Sequence, residues 1–439
     1  HGLSHSRGPC GPGRRATIPR SGPRPTPMSD PDPVSDPAAP SPEPVTPHGD
    51  DRVFTPRFFL MCGFTFTVFL SLFQLLPTVP FFILELGGNT TVAGLFLGVL
   101  TFGSALSAPL TGALADRMGK RRMLLVSSLA IAGFSVAYGL SPSYWLPLLL
   151  VFFHGLFWSG LLSASSAYMT DLLPERRRAE GIGYWGMSTM TAIAVAPGIG
   201  FWVYRFGWGW LCAEVALLNL VMFAIAWRLE DLSTTATRPK EAFFGRHMVE
   251  WGVLWVAMAL FLCSFGYGGI TSFVAVLAEE NGIAPKSIFF TAFAVVVLGT
   301  RPFSGRIADR IGPKRIFLPC LALVTVGMAL TAVAQNRLQL VAAAMVFGLG
   351  LGNMYPAFVA HVFKYVDPSR RGAAFGGILA AFDTGIGAGS IVLGGLAEHV
   401  GLRGAFGAAA VLSAFAIPYF LWAERRFLIR PAAPEESGA

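Results

Sequence analysis

From residue 56 to residue 423 the chain is a succession of long apolar runs divided by short charged segments. A helix that crosses a bilayer needs about 20 predominantly apolar residues. Twelve runs are read as such helices: 56–86, 91–114, 122–140, 144–170, 179–204, 207–228, 249–278, 285–308, 315–334, 337–364, 371–398 and 402–423. Hydrophobic residues make up 53% of the chain and charged residues 13%, about half the charged share of a soluble domain. Glycine is abundant inside the runs, where membrane helices tolerate it. The expectation is an all-α membrane protein, with the lipid bilayer as its solvent.

A charged phrase closes two of the runs. GALADRMGKRR occupies residues 112–122 and GRIADRIGPKR occupies 305–315, a shift of 193 residues that sets Asp116 on Asp309. The same shift sets Pro109 on Pro302, Gly155 on Gly348, Arg177 on Arg370, Arg178 on Arg371 and Gly183 on Gly376. A repeat of that length implies a duplicated bundle. In a membrane-spanning chain it points to a transporter whose site lies between the halves. The expected domains are a disordered cytoplasmic tail (1–55), a six-helix bundle (56–228), a cytoplasmic linker (229–248), a second six-helix bundle (249–425) and a cytoplasmic tail (426–439). The N-terminal tail is rich in Pro, Gly, Ser and Arg and has no apolar stretch, and Met28 is a candidate start within it.

The formal charge of +8 does not indicate nucleic acid, because the basic residues sit in short loops between apolar runs. Those loops alternate. Lys120, Arg121 and Arg122, then Arg176–Arg178, then Lys314 and Arg315 cluster on one side, against isolated cations on the other. By the positive-inside rule both termini are cytoplasmic. Five cysteines without a CxxC or Cys/His cluster exclude a disulfide framework and a structural zinc site. No GxxxxGK[ST], HExxH or GxSxG is present, so neither ATP coupling nor an enzyme is expected. No cofactor or metal is expected, and the protein is expected to be a monomer.

The loop phrase resembles the G-x-L-A-D-R-x-G motif of the major facilitator superfamily. The resemblance covers residues from about 56 to 425. It implies twelve helices in two pseudo-symmetric bundles that rock about a central cavity. It also implies a latch at the cytoplasmic side, made by Gly112, Asp116, Arg117, Gly119 and Arg121 and by Gly305, Asp309, Arg310 and Gly312. A carboxylate at the end of one helix is well placed against the N-terminus of a neighbour, and such a contact contributes about 0.3–1 kcal/mol. A second, altered motif in the fifth run keeps Gly183, Pro197 and Gly200, with alanine at 192 and 196, and resembles that of the superfamily's antiporters. It implies close packing between the halves. In the fourth run Val151 stands where many proton-coupled members carry arginine, which leaves His154 as the substitute. The segments 180–184 and 382–387 resemble bacterial drug and metabolite exporters.

An ionisable side chain at mid-bilayer is costly and a functional candidate. Asp383 and Arg301 lie at similar depths in the second half, and their counterparts in the first half are Met190 and Ala108. They are expected to interact, as a permanent structural pair or as a transient pair that lets Asp383 take a proton. His154, which titrates near neutrality when unperturbed, is either a third proton-coupling candidate or a neutral residue bonded to a neighbouring helix. Glu214 is read as structural or snorkelling. The superfamily's cavity-lining runs implicate Gln74, His154, Trp158, Tyr267, Asn353 and Tyr355 as substrate contacts. Amphipathic aromatics with few fixed charges suit moderately apolar or weakly cationic molecules. The function expected is secondary active transport, with proton-coupled efflux of small organic molecules or drugs across a bacterial plasma membrane. Proton-coupled uptake is the alternative, and a membrane sensor or scaffold is the alternative of another class.

Overall fold

The computed structural model describes residues 52–231, 250–367 and 370–428. The expected tails and the body of the expected linker therefore lie largely outside the described residues. Among those residues every regular element is a helix: α1 Pro56–Glu85, α2 Thr90–Met118, α3 Lys120–Leu140, α4 Trp145–Leu172, α5 Arg178–Tyr204, α6 Trp208–Arg228, α7 Trp251–Glu280, α8 Ile288–Ile311, α9 Pro313–Val333, α10 Arg337–Val362, α11 Arg371–Ala414 and α12 Ala416–Ala423.

Local chemistry sets several of these boundaries. Thr55 Oγ1 accepts from Phe58 N at 3.2 Å and Asn89 Oδ1 accepts from Val92 N at 2.9 Å, side-chain caps for otherwise unsatisfied first-turn amides. Gly119 and Gly312 turn the corners α2–α3 and α8–α9 with nearly the same backbone, φ 91°, ψ 138° and φ 90°, ψ 142°. These are left-handed conformations that favour glycine. The 193-residue repeat is thus a repeat of geometry at this corner. Gly401, at φ 73°, breaks α11 internally.

Among the described residues ten stretches are long and apolar enough to span a bilayer, fewer than the twelve expected. Two physical reasons account for the difference. The stretch Ala374–Leu428 runs for 55 residues because α11 continues past the break at Gly401 almost into α12. In α8 the apolar part is only Ile288–Arg301, since arginine and aspartate occupy its last turns. The outer surface is apolar as lipid requires: Phe102, Leu149 and Val411 are each 60% or more exposed. Exposed tryptophans mark both rims, Trp145 and Trp210 at one and Trp227 and Trp251 at the other, where amphipathic rings settle at a membrane–water boundary.

Helices before and after the 232–249 stretch meet chiefly where α2 packs on α11, α5 on α8 and α1 on α7, and α2 also touches α7. The α2–α11 seam lies at the end of the molecule where α2 begins, here the Thr90 end. Gly94 and Gly98 of α2 face Ser390, Ile391 and Gly387 of α11 so closely that a Cβ on Gly94 would stand 2.3 Å from Ser390 O. Hydrogen bonds then cross the seam: the Thr90 hydroxyl donates to Gly394 O at 2.7 Å, the Ser390 hydroxyl to Gly94 O at 3.0 Å, and the Thr91 backbone amide to Glu398 Oε1 at 2.9 Å. Small residues permit the approach and the hydroxyls secure it.

The opposite, Lys120 end is organised differently. Its ion pairs Lys120–Asp171, Arg57–Glu230, Lys314–Glu424 and Arg370–Glu250 each join residues on the same side of the 232–249 stretch. Arg121 donates to Trp227 O at 2.7 Å and Ala226 O at 3.4 Å, placing a cation on the C-terminal carbonyls of α6. Arg121→Ala is expected to cost about 0.3–1 kcal/mol, read as a lower midpoint of thermal unfolding in detergent.

Candidate functional site

Side chains of α1, α2, α4, α5, α7, α8, α10 and α11 surround a cavity of about 440 Å³. It lies beneath the glycine seam, with Leu97, Leu100 and Thr101 of α2 and Ile386 of α11 in its wall. Most of that wall is apolar. Phe69 and Phe73 come from α1, Trp158 from α4, Phe293 from α8, and Phe375 and Phe382 from α11. Among the described residues of the wall, the charged side chains are Arg301 and Asp383. Met190, the repeat counterpart of Asp383, also lines it. The duplicated position therefore faces the same space twice, charged in one copy and apolar in the other.

Asp383 and Arg301 share the cavity without sharing a bond. The ion pairs among the described residues do not include one between them. Arg301 Nη1 instead donates to Gly352 O at 3.1 Å. That carbonyl is available because Pro356, four residues on in α10, has no N–H to offer it. A permanent Asp383–Arg301 bridge is thus not part of this conformation. The guanidinium is steered to α10 by a proline, and the carboxylate remains half-buried toward the cavity.

Of the expected substrate contacts, Trp158, Tyr267 and Tyr355 line the cavity. The Tyr355 hydroxyl is buried without a hydrogen-bond partner among the described residues, while its ring packs edge-on to Phe382 at 5.2 Å. Gln74, His154 and Asn353 do not line it. Asn353 Nδ2 donates to Leu349 O at 2.8 Å, within its own helix. His154 is 1% exposed and turns to α3, where its Nδ1 meets the Tyr138 hydroxyl at 3.1 Å and its ring stacks near Phe134. His154 is therefore bonded to a neighbouring helix, and His154→Gln is expected to leave proton flux intact. It should cost about 1 kcal/mol of stability from the lost hydrogen bond, read by thermal unfolding beside a flux assay.

Of the other candidates whose side chains are described, none lines the cavity. Gly119 and Gly312 hold their corners and Arg121 holds α6 as described, while Arg117 and Arg310 are exposed. Gly112, Asp116, Gly305 and Asp309 fall within α2 and α8, but their side-chain positions lie outside the described residues. In α5, Ala192, Ala196 and Gly200 recur every fourth residue and so share one face. That face packs on α1: the two alanines are fully buried with Leu70, and a Cβ on Gly200 would stand 3.1 Å from Gln74. These three small residues thus let α5 close on α1, while α5 also packs against α8 of the later helices. Pro197 lies inside α5 and Gly183 has open space around it. No group of three or more His, Cys, Asp or Glu among the described residues is placed to hold a metal.

Phe69, Thr101, Met190 and Phe382 also line the wall and were not among the sequence candidates. Phe69 and Phe73 lie one helical turn apart on the first run, as do Thr101 and Leu97 on the second. In a run that is apolar on all sides, that spacing does not say which face meets a cavity.

Comparison with known proteins places this architecture. The sequence profile described as Major Facilitator Superfamily matches residues 59–284 and again 256–438. An uncharacterised MFS-type transporter of Pseudomonas aeruginosa is 26% identical over 353 residues, covering 78% of this chain and 87% of its own length. Multidrug resistance protein MdtG of Yersinia enterocolitica is 23% identical over 369 residues, covering 80% and 89%. Among solved structures, a bacterial homolog of the human lysosomal transporter Spinster, in an inward-facing and occupied conformation, superposes with a TM-score of 0.70 at 16% identity, covering 85% of this chain and 98% of that one. With the profile matching most of its length and its helices forming that fold, the chain belongs to the Major Facilitator Superfamily and is a multi-pass membrane transporter.

Proposed function

We propose that the protein is a proton-coupled exporter of small, moderately apolar or weakly cationic organic molecules. It would work by alternating access in a bacterial inner membrane. The observation that carries this reading is an aromatic cavity in which a half-buried carboxylate, Asp383, has no ion-pair partner among the described residues. An apolar wall favours an organic body, tyrosine and tryptophan faces favour a cationic group, and one carboxylate can hold either that group or a proton. Competition for Asp383 would give exchange of substrate against proton. The multidrug resistance name borne by one relative points the same way.

In this reading the chain crosses the membrane twelve times. The two extra crossings are α8 and the part of α11 beyond Gly401 that continues into α12. Residues 56–228 and 249–425 form two six-helix halves, 229–248 is their cytoplasmic linker, and both termini are cytoplasmic because the basic loops gather at the Lys120 end. The glycine seam would then close the external side, leaving the cavity to communicate with the cytoplasm. Gly112, Asp116, Gly305 and Asp309 would latch the cytoplasmic side in the opposite state.

The test is substrate-induced pH change in oriented proteoliposomes, using a fluorescent aromatic cation as the probe. Exchange predicts that probe entering the vesicle drives protons out. Co-movement of probe and protons would establish uptake by symport instead. Absence of transport together with ligand binding would favour a sensor built on a transporter fold. Trp158→Ala is expected to weaken probe binding by about 0.5–2 kcal/mol through loss of its ring face, measured as quenching of the probe's fluorescence.

A further inference from the structure

Away from the cavity, a second carboxyl group sits inside the first six helices. Glu214 of α6 meets Gln74 of α1, whose Nε2 donates to Glu214 Oε1 at 3.2 Å. Gln74 is fully buried. Behind it Gly200 of α5 presses on its backbone, where even a Cβ would come within 3.1 Å. The helices packed on α6 are α1, α3 and α5, and the hydrogen-bond partner they send to Glu214 is Gln74.

Two atoms in this pair are unaccounted for. Glu214 Oε2 and Gln74 Oε1 are both buried without a hydrogen-bond partner among the described residues. Both are acceptors if the carboxyl is ionised, so neither can satisfy the other. Leaving each without a partner costs roughly the desolvation of a polar group, more for a charged one. A single proton resolves both. On Glu214 Oε2 it makes that oxygen a donor, and Gln74 Oε1, on the same amide that already donates to Glu214 Oε1, is the acceptor left over. An acid and a primary amide then close a ring of two hydrogen bonds, O–H···O and N–H···O.

We propose that Gln74 and Glu214 form a proton-binding site that joins α1 to α6. Solvent hydronium gives up the proton, its O–H bond breaks to leave water, an O–H bond forms at Oε2, and the carboxylate charge is neutralised. No oxidant or further reactant is needed. The site differs from Asp383 in kind. Neither Gln74 nor Glu214 lines the cavity, so the proton is resident rather than exchanged with each substrate. Because Phe73 and Leu76, the neighbours of Gln74 along α1, do line the cavity, the ring fixes one of its walls.

Infrared difference spectroscopy on the full-length protein in lipid nanodiscs at neutral pH tests this. Wild type minus Glu214→Gln is expected to show the carbonyl stretch of one protonated carboxylic acid. Gln74→Leu is expected to retain that stretch and move it to higher frequency, because the carbonyl oxygen loses its amide donor. A difference spectrum containing only the symmetric and antisymmetric carboxylate stretches would overturn the proposal. Should Glu214→Gln not fold, Gln74→Leu against wild type decides alone: a shifted acid carbonyl supports the site, and an unshifted one overturns it. Asp383→Asn leaves this signal in place, so failure here and failure of the exchange mechanism are read separately.

Discussion

Asp383→Asn is expected to abolish proton-linked transport while leaving a folded protein that still binds the aromatic probe. The substitution is nearly isosteric and removes one charge. Breaking a buried ion pair usually costs 3–5 kcal/mol, because the partner is left charged and alone. Here the nearby cation already has its own acceptor, since Arg301 donates to Gly352 O. Folding should therefore survive, as seen by a monodisperse size-exclusion profile and an unfolding midpoint close to wild type. Probe-driven pH change should fall by more than about tenfold, equivalent to about 1.4 kcal/mol or more in rate. Unaltered proton flux in a well-folded Asp383→Asn would remove Asp383 from the mechanism. Collapse of the fold would make it structural.

Gly94→Val should have the other large effect, on conformation rather than chemistry. The first carbon added at this position would lie 2.3 Å from the carbonyl oxygen of Ser390 and 2.9 Å from its carbon. Those atoms are backbone, so no rotamer change relieves the overlap, and α2 and α11 must separate. Overpacking of this kind costs about 1–3 kcal/mol, paid only while the seam is closed. Two states within a few kcal/mol of each other would be displaced by about 5–150-fold toward the one with the Thr90 end open. The measurable result is faster alkylation of a cysteine placed at Thr101, beneath the seam, by an impermeant maleimide added from that side. Gly63→Ala, at a glycine with open space around it, is expected to change nothing and serves as the control.

Much of the helical framework was legible because it depends on local quantities. Run length and charged ends fix where helices start and stop, so α1, α3, α6 and α10 fall within a few residues of the sequence reading. The repeat was legible for the same reason: Gly119 and Gly312 need the same unusual backbone, and little but glycine supplies it. Span counting was less secure where a run is interrupted, as by the charges in the last turns of α8. It was also less secure where two runs abut without a polar break, as at Gly401.

The site was only partly legible. Asp383, Arg301, Trp158, Tyr267 and Tyr355 stood out as polar or aromatic residues in apolar runs, and they do share one cavity. Which way His154 turns is not written in α4, whose run is apolar on nearly every face. It was decided by Tyr138 on another helix. Arg301 missed its expected partner because Pro356, in a third helix, opened a carbonyl that no charge pattern reveals. Gln74 and Glu214 are 140 residues apart, and their pairing depends on Gly200 letting α5 close upon α1.

The most direct measurement is a pair of distances by electron–electron resonance in nanodiscs, with spin labels added to a variant freed of native cysteines. One pair, Leu86 with His399, spans the Thr90 end; the other, Leu114 with Ile307, spans the Lys120 end. A transporter that alternates about the central cavity predicts opposite changes in Gly94→Val relative to its parent, with the first distance lengthening as the second shortens. Two distances that stay fixed, or that lengthen together, would contradict it.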